Sequence, residues 1–202
     1  GMRTHLAKLF LYIFVPFAIA LLILLVGCAL WIATSSKASR TTATLLKLIM
    51  PPFLQLFFVA YPLVTTVAFD SFPLYVFEDN SFLKADVQVE YGSAAYDNVV
   101  SWAVVAIVAY PVGILVIFGA LLFAARDAIM NKQPTALSES IAFLHREFEP
   151  HMFWWELMEM LRRLVLVGLM VLYPRKILQL VLGTLLSAAF LLFQVQASPY
   201  VE

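Results

Sequence analysis

Charge is scarce in this chain. Only 13% of its 202 residues are Asp, Glu, Lys or Arg, where a soluble domain carries roughly 25%. The 13 basic residues balance the 13 acidic ones. A zero net charge argues against nucleic-acid binding, which requires a concentrated basic face. One cysteine, Cys28, is present, which excludes an internal disulfide and a cysteine-based metal site. We read it as a small apolar core residue. The three histidines are His5, His145 and His151. His145 and His151 are six apart, so they lack the i, i+3 or i+4 spacing of paired helical ligands. No Gly-rich phosphate loop, His-Glu-x-x-His pair or Ser nucleophile elbow occurs. The sequence therefore offers no support for an enzyme, and no cofactor is expected beyond bound lipid.

What the chain has is apolar length. Hydrophobic residues make up 63% of it, more than a soluble fold of this size can bury. About 20 apolar helical residues cross a bilayer. Five stretches approach that length: 9–32, 48–69, 99–125, 152–173 and 177–197. The expected fold is all-α: a polytopic membrane helix bundle of about five transmembrane helices plus one interfacial amphipathic helix, in a single membrane domain. The first run is about 24 residues, too long for a signal-peptide core, so it reads as a retained span. Trp31, Trp102, Trp154 and Trp155 fall near span ends, where interfacial anchors belong. Pro51 and Pro52 suit a helix start. Pro62 and Pro111 lie inside spans and predict kinks. Gly113, Gly119, Gly168 and Gly183 suit close helix packing.

Between the spans, 70–98 is a polar loop. It holds six acidic residues (Asp70, Glu78, Asp79, Asp86, Glu90, Asp97) against Lys84, a net charge of −5. Within it, Ala85–Tyr91 alternates polar and apolar residues, as an extended segment would. Leu137, Ile141, Leu144 and Phe148 recur at helical spacing, so 136–148 is read as the amphipathic helix lying on the membrane. Basic residues divide five against six between the two sides, which leaves the positive-inside rule undecided.

The fourth span is the unusual one. Only Leu164–Leu172 is uninterrupted, so the helix reaches crossing length only by carrying Glu156, Glu159, Arg162 and Arg163 with it. Glu159 precedes Arg162 by three residues and Arg163 by four, the favourable order for helical ion pairs. Unpaired charges in low dielectric are costly. These four are expected to pair and face the interior. Three uses of such a seam stay open: a structural ion-pair network, an ion path or gate, or lipid-headgroup binding.

Several segments together resemble a known kind of membrane module. They are Tyr61-Pro62-Leu63-Val64-Thr65-Thr66, Ser81-Phe82-Leu83-Lys84-Ala85-Asp86 and Tyr110-Pro111-Val112-Gly113. Ala142-Phe143-Leu144-His145-Arg146-Glu147-Phe148-Glu149-Pro150, Trp155-Glu156 through Arg162-Arg163, and Ser198-Pro199-Tyr200 follow. Their order resembles the C-terminal transmembrane region of large protist and algal proteins of transient-receptor-potential-like (TRP-like) or polycystin-like type. The resemblance spans about Leu48 to Tyr200. It implies that the 70–98 loop lies outside and 136–148 inside. Such proteins often carry loop cysteines near the positions of Leu74 and Tyr91; this chain has neither, so something else must hold the loop if it is ordered. Two functions follow as expectations. One is a structural or accessory subunit of a larger membrane assembly, partnered by lipids and other membrane proteins, in an organellar or plasma membrane. The other is a TRP-like channel or sensor module gated through the charged seam.

Overall fold

The computed structural model describes residues 4–34, 42–172 and 176–200. Most of the linker after the first span, and Tyr173, Pro174 and Arg175 of the expected turn between the last two, lie outside them. The protein is mostly helical. In chain order come α1 (His5–Thr34) and α2 (Thr42–Phe69), then strands β1 (Leu74–Val76), β2 (Ser81–Leu83) and β3 (Asp86–Glu90). Next are α3 (Ala94–Ile107), a π-helical turn (Val108–Val112), α4 (Gly113–Ala124), α5 (Arg126–Met130) and α6 (Ala136–Ser140). Two 3-10 turns (Ala142–Leu144, Pro150–Met152) precede α7 (Trp155–Leu172) and α8 (Lys176–Ala197).

Four helical segments are long and apolar enough to cross a membrane: His5–Ala33, Leu45–Phe69, Ala94–Ala124 and Ile177–Ala197. The physical reason is composition: long apolar runs satisfy their backbone polar groups internally, as hydrocarbon demands. Among the described residues α7 is not in this set, because its 18 residues include Glu156, Glu159, Arg162 and Arg163.

The chain divides into two compact units. The first comprises Gly1–Ile13, Tyr61–Leu115 and Glu159–Ser198. Its core holds Leu9, Tyr61, Val64, Ala68, Leu83, Val99, Ala103, Tyr110 and Met160, all essentially buried. The buried positions of α3 and the π turn, Val99, Ala103, Ala106 and Tyr110, recur at three- and four-residue spacing, which is one face of a helix. The Tyr110 hydroxyl donates to the Ile13 carbonyl at 2.6 Å, tying the π turn to α1.

The second unit comprises Phe14–Ala60, Val116–Met158 and Pro199–Glu202. Its core includes Phe118, Leu122, Ile141, Leu144 and Trp155. Phe58, Phe118 and Phe143 form a triangle of rings with centroids 6.4, 5.6 and 6.0 Å apart. Phe148 bridges to Tyr200, their ring centroids 5.4 Å apart.

Several expectations need correction. The 136–148 stretch is not one helix: it is α6, a 3-10 turn and a turn-rich tail. The hydrophobic spacing is real, since Ile141, Leu144 and Phe148 are buried. The backbone breaks because hydroxyls compete for it. Thr135 and Ser138 close a capping box at the helix start, the Ser140 hydroxyl donates to the Ala136 carbonyl, and the His145 ring sits 3.1 Å from the Ser138 carbonyl. Nor does α2 start at Pro51-Pro52. It starts at Thr42, because hydropathy marks where the apolar run begins rather than where the helix does. Lys47, in the added turns, pairs with Glu139 at 3.4 Å. Likewise α3 begins at Ala94, five residues before Val99, where the Ser93 hydroxyl accepts from the Tyr96 N–H.

The prolines act unequally. Pro111 cannot donate to the residue four before it, and the helix answers with the π turn, in which the Gly113 N–H reaches the Val108 carbonyl. Pro62 lies within α2, whose helical assignment runs on past it to Phe69. Pro16, inside α1, was not singled out by sequence.

At Gly27 the missing side chain makes room for a neighbouring side chain. A Cβ there would stand 2.5 Å from Ile49 Cγ1. At Gly119 and Gly168 the nearest atoms would be at 3.7 Å, an ordinary contact. Gly27→Ala should therefore destabilise the chain by about 1–3 kcal/mol. In an Ile49→Ala background the same change should cost almost nothing. Unfolding free energies of the four proteins in detergent check this; equal costs in both backgrounds would show that Ile49 is not the obstacle.

Candidate functional site

The charged seam of α7 is only partly brought together. Arg162 donates from Nε (3.1 Å) and from Nη2 to Glu159 Oε2, one turn earlier. The Glu159 side chain keeps 14% of its exposure and Arg162 31%. Glu156 is half-buried. Arg163 does not join them: it is exposed and carries no ion pair among the described residues. The expectation that all four face inward is therefore corrected at Arg163. Glu159 pairs with Arg162 at i+3 rather than with Arg163 at i+4, and a guanidinium without a carboxylate is costly to bury, so Arg163 stays exposed.

Beside the ion pair is a contact that sequence reasoning missed. The Tyr61 hydroxyl donates to the Met160 carbonyl at 2.8 Å, joining α2 to α7. Tyr61 is 1% exposed and Met160 fully buried. Below it, the Thr65 hydroxyl donates back to the Tyr61 carbonyl at 2.6 Å. Tyr61 and Tyr110 both precede a proline and both donate to a backbone carbonyl of another helix. The repeated Tyr-Pro pair was the available signal.

The expected tryptophan anchors also divide. Trp102 is half-buried, with Phe10 set edge-on at 4.9 Å. Trp31 and Trp154 are half-buried too, and the Trp31 indole N–H is buried with no acceptor among the described residues. Trp155 is 2% exposed. It is a core side chain of the second unit and has no surface to offer an interface. Trp154 lies in the turn before α7, and Trp155 is the first residue of that helix.

A second feature of the first unit lies elsewhere, where α1 begins and α2 ends. It is a cleft of about 860 Å³ lined by Lys8, Tyr12, Thr66, Asp70, Lys84 and Asp86 among others. The acidic loop builds one wall of it as an antiparallel sheet, ordered β1-β2-β3. Leu74 pairs with Leu83 and Val76 with Ser81; Leu83 then pairs with Asp86 across the two-residue turn Lys84-Ala85. Leu83 is fully buried and anchors the sheet. Gly92, at φ +77°, turns the chain from β3 into α3.

No disulfide holds this loop; the start of α1 does. The His5 N–H, one of the unsatisfied donors of a helix start, donates to Asp86 Oδ2 at 2.9 Å. The His5 ring Nε2 lies 2.8 Å from the Ser71 hydroxyl, and both residues are buried. The carboxylate also complements the positive end of the helix dipole. The Lys84 N–H donates to the Pro73 carbonyl at 2.8 Å, extending the β1–β2 pairing by one bond.

Among the described residues no three His, Cys, Asp or Glu side chains cluster as metal ligands would. Comparison with known protein families, with curated proteins and with solved structures finds no match to this chain.

Two outcomes test this geometry. Glu159→Gln removes the negative charge of a mostly covered pair and should lower unfolding stability by about 1–3 kcal/mol, between the values for exposed and buried pairs; Arg163→Gln should change it by under about 0.5 kcal/mol. Thermal unfolding of the two variants decides, and a larger loss at Arg163 would contradict the placement. Asp86→Ala should speed amide exchange at residues 4–8 and 86–90 while leaving α8 unchanged; uniform exchange throughout would show that the His5–Asp86 tie does not hold the sheet.

Proposed function

We propose that this chain is an integral membrane subunit that crosses the bilayer five times and serves as a structural, accessory component of a larger membrane assembly. The crossing beyond the four apolar segments is α7, fourth in chain order. Its 18 residues, at about 1.5 Å each, extend roughly 27 Å, close to the ~30 Å of a hydrocarbon core.

One observation carries the structural reading. Glu159 and Arg162 of α7 close on each other within one turn, and the adjacent Met160 carbonyl takes the Tyr61 hydroxyl. Polar groups of this helix are thus engaged in holding it. A conduction path needs charge presented to water.

A second feature supports an assembly partner. In the most apolar window of α8 only 6% of residues are buried. Ile177, Leu180, Leu192 and Val195 keep 82%, 69%, 71% and 70% of their surface. Such a face suits lipid or a neighbouring membrane helix.

Reconstitution separates this reading from the channel or sensor alternative. Liposomes containing the full chain should show no cation flux above empty liposomes, and Glu159→Gln should alter stability alone. Cation flux that Glu159→Gln abolishes without loss of stability would replace the accessory reading with the channel one.

A further inference from the structure

The cleft of the first unit has an apolar continuation. Phe69 and Val171 line both the cleft and a groove of about 490 Å³. The groove is otherwise walled by apolar side chains, including Phe72, Ile107, Leu164 and Leu169. A polar chamber that opens into a hydrocarbon-lined groove has the chemistry of an amphiphile site.

The charges of the chamber narrow the headgroup. Lys8 and Lys84 face Asp70 and Asp86 around one cleft, two cations against two anions. Asp86 is already engaged, accepting from the N–H groups of His5 (2.9 Å) and Gln88 (3.2 Å). Lys8, Asp70 and Lys84 have no ion pair among the described residues. Lys84 Nζ rests 5.9 Å from the centroid of the Tyr75 ring. An anionic headgroup would pair with the lysines and leave Asp70 facing like charge. A zwitterion with a phosphate and a primary ammonium gives each of the three a partner.

Depth agrees with charge. The cleft includes His5, where the first candidate span begins, and Phe69, where the second ends. Span ends lie at headgroup level and their interiors at acyl-chain level. The groove runs along Leu164, Gly168 and Leu169 of α7, away from that polar end.

We propose that cleft and groove together bind one zwitterionic glycerophospholipid of the phosphatidylethanolamine type. Lys8 and Lys84 hold the phosphate, Asp70 takes the ammonium, and an acyl chain lies in the groove past Phe69. The inference requires only that the helices cross a bilayer; it holds whether the chain is an accessory subunit or a channel.

Native mass spectrometry of the detergent-purified full chain tests it. The probes are dioleoyl phosphatidylethanolamine, dioleoyl phosphatidylglycerol and water-soluble glycerophosphoethanolamine, at equal concentrations. Phosphatidylethanolamine should be retained several-fold over phosphatidylglycerol, and the soluble headgroup should be barely retained. The double change Lys8→Gln and Lys84→Gln should lower phosphatidylethanolamine retention about tenfold, the equivalent of one charge-assisted hydrogen bond. Asp70→Asn should erase the preference over phosphatidylglycerol. Val165→Trp, which fills the groove and leaves the headgroup residues in place, should lower retention by a similar factor. Lys47→Gln, outside the cleft, should change nothing. Thermal unfolding of every variant confirms the fold. Equal retention of the two lipids, retention indifferent to the lysine changes in folded protein, or soluble headgroup bound as tightly as lipid would each overturn the proposal.

Discussion

The hydrogen bond from the Tyr61 phenol to the Met160 carbonyl is the contact on which the placement of α7 depends. Lipid removes the hydrophobic drive that packs helices in water, so polar contacts and close approach must specify which helices meet. α7 is the helix that needs this most, since four of its 18 residues are charged. A carbonyl has two lone pairs, so Met160 can accept from Tyr61 and keep its helical bond. Tyr110 repeats the device on Ile13 of α1. Two phenols, each before a proline, thereby fasten α2 to α7 and the π turn to α1.

The same economy of polar contacts explains the acidic loop. Its sheet is too short to stand alone: strands of three, three and five residues bury one side chain fully, Leu83. Two-stranded or small sheets in water are marginal without a covering element. The start of α1 supplies it, through His5 on Asp86 and Ser71. The tie that orders the loop also sets Asp86, and Lys84 beside it, at the rim of the cleft. Structural support and candidate ligand site are built from the same few residues.

Much of the fold was legible in the sequence, because long apolar runs admit few alternatives. Four of the five expected spans, the strand at Asp86–Glu90 and the Glu159–Arg162 pairing follow from periodicity and spacing. Where the reading failed, a local contact had overridden a pattern. Hydroxyls of Thr135, Ser138 and Ser140 cut the 136–148 helix short although its apolar residues still bury. Trp155 resembled an anchor by position, yet packing took it into the core. Gly27 went unremarked because only the neighbour at Ile49 makes its missing side chain matter. The cleft was invisible for a different reason. Lys8, Asp70, Lys84 and Asp86 lie in three separate segments, and no spacing rule joins them.

The central claim is that α7 lies in the bilayer although it carries four charges. A nitroxide label at Leu166, in a background where Cys28 is replaced by alanine, tests it most directly in reconstituted liposomes. The account predicts that oxygen, concentrated in hydrocarbon, relaxes the label more strongly than a water-soluble nickel chelate does. Stronger relaxation by the nickel chelate would place α7 in water and contradict it.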